Sequence, residues 1–319
     1  MDALSDVLKS VRLEGAMYVN AEFTAPWCVT AAYGLDGVRR LLPSAERVVF
    51  FHFLTEGTCK VRLIADGQTE TLVKGDLVLL SQDSAHLLGS DFHIAPVDGS
   101  IQSMPKAVRI ANLSHGGGGA VTRFVCGYIA CSRSVCRLLF DALPSMLRVS
   151  LGESPASTML RDLINIGVRE SAAARPGAES LLAKLSELMF VEAMRHYIAS
   201  LPPDGKGWLA GVRDPQIGKA LALLHGEPTR GWTVDELGRA VALSRSTLSE
   251  RFTELVGEPP MQYLTRWRLA LAAQSLRTGA EAITRVAEHA GYESEAAFSR
   301  AFKREFGLPP ATWRRAERV

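Results

Sequence analysis

Six residues near the end of the chain, Ser244, Ser249, Phe252, Gly257, Pro259 and Pro260, recur fifty positions later as Ser294, Ser299, Phe302, Gly307, Pro309 and Pro310. Capping, apolar and stop residues that return together mark a duplicated structural unit. In the first copy Thr233-Val234-Asp235-Glu236 has the capping-box spacing, which predicts a helix from there through Leu237 to about Val241. A short turn leads to Ser244, which suits the cap of a second helix whose Leu248, Phe252 and Leu255 share one face. Gly257 provides a left-handed stop and Pro259-Pro260 prevents continuation. The second copy reads as a helix over Ile283 to His289, a turn at Ala290-Gly291-Tyr292, a cap at Ser294, a buried face of Phe298, Phe302 and Phe306, and a stop at Gly307.

Helix, tight turn, helix is the geometry in which a first helix props a second so that the second's exposed face enters the DNA major groove. The exposed faces are short, polar and partly basic: Arg245, Ser246, Ser249 and Glu250 in the first copy, and Glu295, Ala296, Ala297, Ser299, Arg300, Lys303 and Arg304 in the second. One such hairpin is a weak signal, because structural proteins contain many; two with the same stop signals are much stronger. Met261 to Leu276 reads as one continuous helix between them. If it holds the two second helices near one duplex turn apart, about 34 Å, one protomer reads two successive groove segments.

The rest of the chain is less specific. A length of 319 residues predicts two domains plus a connecting segment, and 47% hydrophobic with 22% charged residues is ordinary globular composition. No uncharged apolar run reaches the length of a membrane span, and Met1 to Arg12 lack the basic-then-apolar order of a secretory signal, so a cytoplasmic protein is expected. Charge does not identify a nucleic-acid binder here: net charge is +2, with 16 Lys/Arg against 13 Asp/Glu from Arg213 onward. Five cysteines without Cys-x-x-Cys spacing argue against a disulfide framework or structural zinc.

Short apolar runs at Val48 to Leu54, Cys59 to Ile64, Thr71 to Val73, Asp76 to Leu80 and Val121 to Ile129 read as strands. The turns Glu56-Gly57, Ala65-Asp66-Gly67, Lys74-Gly75 and Gly116 to Gly119 space them closely, as in an antiparallel barrel or sandwich, and a small barrel is the expectation. Helical periodicity follows in Thr158 to Ser171 and Glu179 to Ser200. There the apolar face of Leu181, Leu182, Leu185, Leu188, Met189 and Val191 serves either packing within the domain or a dimer seam. The predicted class is α+β: an antiparallel barrel domain with helices over 1–150, a helical dimerisation or linker region over 151–200, a linker over 201–212, and an all-α DNA-binding domain over 213–319.

The stretch from Trp232 to Arg304, through Leu243 to Phe252, Val256 to Leu264 and Val286 to Lys303, resembles the two-motif DNA-binding domain of the AraC/XylS family of transcription regulators. This resemblance covers about a third of the chain. It implies base reading by Ser246, Ser249 and Glu250 in the first unit and by Glu295, Ala296, Ser299 and Arg300 in the second. Glu250 departs from the pattern, where many members carry Arg or Gln; a glutamate there either accepts from a cytosine amino group or pairs with a neighbouring arginine. Arg300 suits a bidentate grip on guanine O6 and N7, with a phosphate contact as the alternative. Arg245, Arg251, Arg266, Arg268, Lys303 and Arg304 suit phosphates or surface salt bridges.

The front half resembles the cupin-type sensory domain of one branch of that family, through Phe51 to Thr58 and Lys74 to His86. A metal-dependent cupin enzyme needs about three histidines and a carboxylate converging on an open metal position. Only His86 sits at a matching point and the upstream His-x-His pair is missing, so neither a catalytic metal, a cofactor nor an enzyme is expected. His86 is the first candidate for effector contact, with His52, Glu56 and Cys59 behind it; each equally suits a satisfied barrel or turn residue. Cys126, Cys131 and Cys136, spaced by five and near Arg133 and Arg137, are redox candidates, since a sensor needs an accessible thiolate of lowered pKa; ordinary buried thiols are the other reading.

The combined expectation is a DNA-binding transcription regulator, activator or repressor, homodimeric, whose partners are double-stranded DNA, RNA polymerase and a small-molecule or oxidant effector at the front domain. The rivals are a cupin enzyme tethered to DNA and a ligand-independent architectural protein.

Overall fold

The computed structural model describes residues 2–10, 13–31, 34–39, 42, 45–81, 84–99, 111–131, 137–151, 155–172 and 176–317. The chain forms two compact units: Leu13–Ser132 with Leu143–Ser200, and Leu201–Val319 with Met1–Arg12 and Arg133–Ala142. In chain order the elements up to residue 200 are α1 (Ala3–Ser10), β1 (Leu13–Thr24), β2 (Cys28–Ala31), α2 (Gly34–Arg39), β3 (Arg47–Glu56), β4 (Thr58–Leu63), β5 (Thr69–Val73), β6 (Asp76–Leu80), β7 (His86–Gly89), β8 (Val97–Asp98), β9 (Ala111–Gly116), β10 (Val121–Cys131), α3 (Arg137–Phe140), β11 (Met146–Ser150), α4 (Pro155–Ala172) and α5 (Ala178–Ser200).

The β unit holds a six-stranded sheet in the order β11-β6-β3-β10-β1-β9 and a five-stranded sheet in the order β5-β4-β7-β2-β8. This corrects the expected antiparallel barrel. Among the described residues no ladder joins one sheet to the other, and β9 and β8 run parallel to β1 and β2. Alternation along a strand says which face is buried, but not which edge meets which, so closure was not readable from short runs. One apolar core draws on both sheets, with Phe23, Phe50, Leu54 and Phe124 from the first and Val29, Val61, Leu63, Leu72 and Leu88 from the second. β3 and β10 are buried almost throughout because they sit mid-sheet and the helix α5 packs on the same sheet, against β1, β10 and β11. A strand covered on both faces loses its polar alternation, hence the unbroken run Val48 to Leu54.

The other unit continues with α6 (Trp208–Arg213), α7 (Pro215–Gly226), α8 (Val234–Ala240), α9 (Arg245–Val256), α10 (Pro260–Thr278), α11 (Ile283–His289), α12 (Glu295–Phe306) and α13 (Pro310–Glu317), while α1 packs on α7 through buried Ala3, Leu4 and Val7. Helix α10, of 19 residues, spans about 28 Å at 1.5 Å per residue and carries a different core at each end. Towards its start Tyr263 accepts from the Trp208 indole N–H at 2.9 Å, its hydroxyl shares a hydrogen bond with His225 Nε2 at 2.7 Å, and His225 stacks on Trp267 with centroids 4.1 Å apart. Towards its end Leu269, Ala273 and Leu276 close over Val286, Phe298, Phe302 and Trp313, with Phe306 partly buried at the rim.

Candidate nucleic-acid interface

Each copy of the repeat folds as a first helix, a turn and a second helix. Thr233 accepts from the Glu236 N–H while the Glu236 carboxylate accepts from the Thr233 N–H, closing the capping box that starts α8. Ser244 and Ser294 accept from the N–H of Thr247 and Ala297, each at 3.2 Å, and Gly257 and Gly307 end α9 and α12 left-handed at φ 89° and 78°. These bonds satisfy helix-end groups that would otherwise face the protein unpaired. Buried Leu248 and Phe252 anchor α9, and buried Phe298 and Phe302 anchor α12, so the opposite face of each second helix is set toward solvent.

On α9 that face presents exposed Arg245, Ser246 and Glu250 with half-buried Ser249; on α12 it presents exposed Glu295, Ala296, Arg300, Lys303 and Arg304 with half-buried Ser299. The basic residues divide into two groups. Arg251 turns toward α7, bonding Asp214 at 2.6 Å and the Gln216 side chain; Arg266 pairs with Glu258; Arg268 donates to the carbonyls of Pro228 and Arg230. In the free protein these three are held by salt bridges or internal hydrogen bonds. Arg300, Lys303 and Arg304 are exposed and stand outside the ion pairs among the described residues. Two contacts escaped the sequence reading: Arg245 lies 3.5 Å from Asp235, and the Thr284 hydroxyl donates to Glu295 at 2.6 Å.

The β unit gathers a second polar group. His52 on β3 stands opposite Cys126 on β10 in register, and His86 leads β7. His52 Nδ1 lies 2.7 Å from Cys126 Sγ, His52 Nε2 lies 2.7 Å from His86 Nε2, and His86 Nδ1 lies 2.9 Å from the Ser84 carbonyl. Burial, and for His52 also the neighbouring His86, pushes both imidazoles down, His86 to about 4 and His52 well below its ordinary value, so both are neutral at pH 7. A carbonyl only accepts, so His86 Nδ1 carries its proton and Nε2 accepts; His52 Nε2 then donates, and His52 Nδ1 accepts from the Cys126 thiol. Burial raises Cys126 well above the usual thiol range, with Cys59 adding to it, and pushes Cys59 up to about 12, with Asp76 adding to that.

Glu56 does not join this group: it is exposed at the end of β3, where Arg123 binds it together with Glu22. Cys131 is buried at the end of β10, and Cys136 lies outside the described residues. Among the described residues no three His, Cys, Asp or Glu side chains are arranged to hold a metal ion, and no helix is long and apolar enough to cross a membrane.

Residues 2–199 match the cupin family model and residues 237–316 match a helix-turn-helix domain model. A cupin domain followed by this duplicated unit defines a DNA-binding transcription regulator. An AraC-like transcription regulator of Streptomyces lividans is 34% identical over 316 residues, covering 99% of this chain and 98% of the relative. The HTH-type transcriptional regulator AlkR of Acinetobacter baylyi is 31% identical, covering 98% of this chain and 99% of the relative. The RCS-specific HTH-type transcriptional activator RclR of Escherichia coli is 29% identical, covering 100% and 98%. The chain belongs to the AraC-like transcription regulators.

Proposed function

We propose that this regulator reads DNA with the exposed faces of α9 and α12, and that an effector acting on the β unit sets how often both faces engage. Ser246, Ser249 and Glu250 face bases in one groove segment, and Glu295, Ala296, Ser299 and Arg300 in the next; Arg245, Lys303 and Arg304 meet phosphates. Arg251 stands apart, as a brace to α7. The observation that carries this reading is the pair of capped, core-anchored second helices whose polar faces are solvent-exposed, with Arg300, Lys303 and Arg304 uncommitted. A small-molecule effector binds one arrangement of the protein more tightly, or an oxidant converts a thiol that one arrangement accommodates better in its oxidised form, and either shifts the population. The His52, His86 and Cys126 network is where such a signal enters, because a polar chain in an apolar core is sensitive to any change in one member. As a redox sensor Cys126 does not fit, because it is buried and its thiol is pushed well above the usual range, and Cys131 is buried too; an oxidant signal therefore rests on Cys136. A homodimer bound to operator DNA, where it can contact RNA polymerase, completes the reading of a regulator.

The test is a titration of purified protein against genomic fragments, its own upstream region included, with excess competitor DNA. Sequence-selective binding that Arg300→Ala weakens supports the reading. Uniform, sequence-indifferent binding that Arg300→Ala leaves unchanged contradicts it.

A further inference from the structure

The duplication supplies its own internal control. Aligned on their buried residues, α8 and α11 differ by forty-nine positions, so that Leu237 matches Val286, Val241 matches Ala290, and left-handed Ala242 matches left-handed Gly291. Helices α9 and α12 differ by fifty, because the second turn is one residue longer. On this alignment Asp235 corresponds to Thr284, and Arg245 to Glu295. Both copies therefore make the same contact: the second residue of the first helix holds the first residue of the second helix, by an Asp235–Arg245 ion pair at 3.5 Å in one and a Thr284–Glu295 hydrogen bond at 2.6 Å in the other. The position of the contact is kept while its chemistry is replaced.

We propose that Glu295 reads a cytosine in the groove segment facing α12, and that Thr284 is its positioning residue. This rests on the reading that α12 faces DNA. A carboxylate on a surface that approaches phosphates is repelled unless it meets a donor. Among major-groove edges the cytosine N4 amino group offers a donor with no acceptor beside it on the same base. Thr284 occupies Glu295 Oε2, which leaves Oε1 to accept from the base and removes rotamer freedom from an exposed side chain. Helix-dipole stabilisation alone would place a glutamate in the first turn, but it requires no hydroxyl from another helix, and Ser294 already caps this one.

The experiment selects bound duplexes from a randomised DNA library with the full-length protein, Glu295→Gln, Thr284→Val, Thr284→Ser and Arg300→Ala, each checked for native circular dichroism. The wild type is expected to select a motif with cytosine at one fixed position. Glu295→Gln moves that one position toward adenine, which pairs with an amide. Thr284→Val lowers the cytosine preference there by about fivefold, Thr284→Ser restores it, and the rest of the motif is unchanged. A merely structural brace would weaken binding to all sequences alike. Base preferences identical in the wild type, Glu295→Gln and Thr284→Val overturn the assignment; if Arg300→Ala still alters the motif, the broader reading of α12 survives. A wild type that selects no motif overturns both.

Discussion

Arg251 and Asp214 are joined at 2.6 Å, and the same Asp214 carboxylate caps α7 by accepting from the N–H groups of Gln216 and Ile217. One carboxylate thus both starts α7 and ties it to α9. Arg251→Met should lower the stability of the helical unit by about 1–3 kcal/mol, because it strips a charge-assisted bond from a half-buried acceptor. Its DNA sequence preference should be unchanged. Thermal unfolding together with motif selection checks both, and an altered motif at full stability would make Arg251 a DNA contact.

The turn of the first copy places Ala242 at φ 58°, where the second copy has Gly291 at φ 76°. A side chain in the left-handed region costs about 1 kcal/mol that glycine does not. Ala242→Gly should therefore stabilise the unit by up to about 1 kcal/mol. Gly291→Ala should destabilise it, since the added Cβ would lie 3.1 Å from the Arg268 guanidinium carbon. Denaturant midpoints that move the other way would contradict this account of the turns.

His225 and His86 are each held to about 4, and His52 well below its ordinary value, all chiefly by burial. In the unfolded chain these histidines titrate near 6.5, so between the two values the unfolded state binds more protons. Stability is then greatest above pH 6.5 and is lost as pH falls from there through about 4. Urea unfolding at a series of pH values should show this decline, and each His→Phe variant should flatten it by one proton. A stability independent of pH over that window would mean that the imidazoles are charged or exposed.

Cys59 and Cys126 are buried and protonated at neutral pH, so in native protein at pH 7.5 they should react with a thiol reagent far more slowly than after unfolding. Cys126→Ala leaves His52 Nδ1 buried without its donor and should cost about 1–3 kcal/mol, while Cys126→Ser, which keeps an O–H, should cost less. Native-state labelling as fast as in denaturant would show that the β unit opens to solvent.

The repeat was legible because its signals are local. Within one helix of each copy Ser244 or Ser294 caps, Phe252 or Phe302 packs, and Gly257 or Gly307 stops. The β unit was only half legible. The runs that became β3, β4, β6 and β10 and the end of β5 stood out as apolar, whereas β1, twelve residues long, interleaves Glu14, Asn20 and Glu22 with small and apolar residues and gave no run, and β2, β7, β8, β9 and β11 owe their existence to the neighbours they pair with. The meeting of His52 with Cys126 and His86 joins residues 74 and 34 apart, set by strand register that no local pattern encodes. Glu56 failed to join them because it ends β3, beside Arg123. The Thr284–Glu295 contact had a signal, since superposing the two copies on their buried residues pairs it with Asp235–Arg245.

On the proposed reading both second helices contact DNA, each its own segment. A nuclease footprint on a selected duplex tests it most directly, comparing wild type with Ser246→Asp on α9 and Arg300→Ala on α12. The account predicts two adjacent protected segments, with Ser246→Asp losing protection in one and Arg300→Ala in the other. A footprint that either variant weakens evenly along its whole length, or that neither changes, would contradict it.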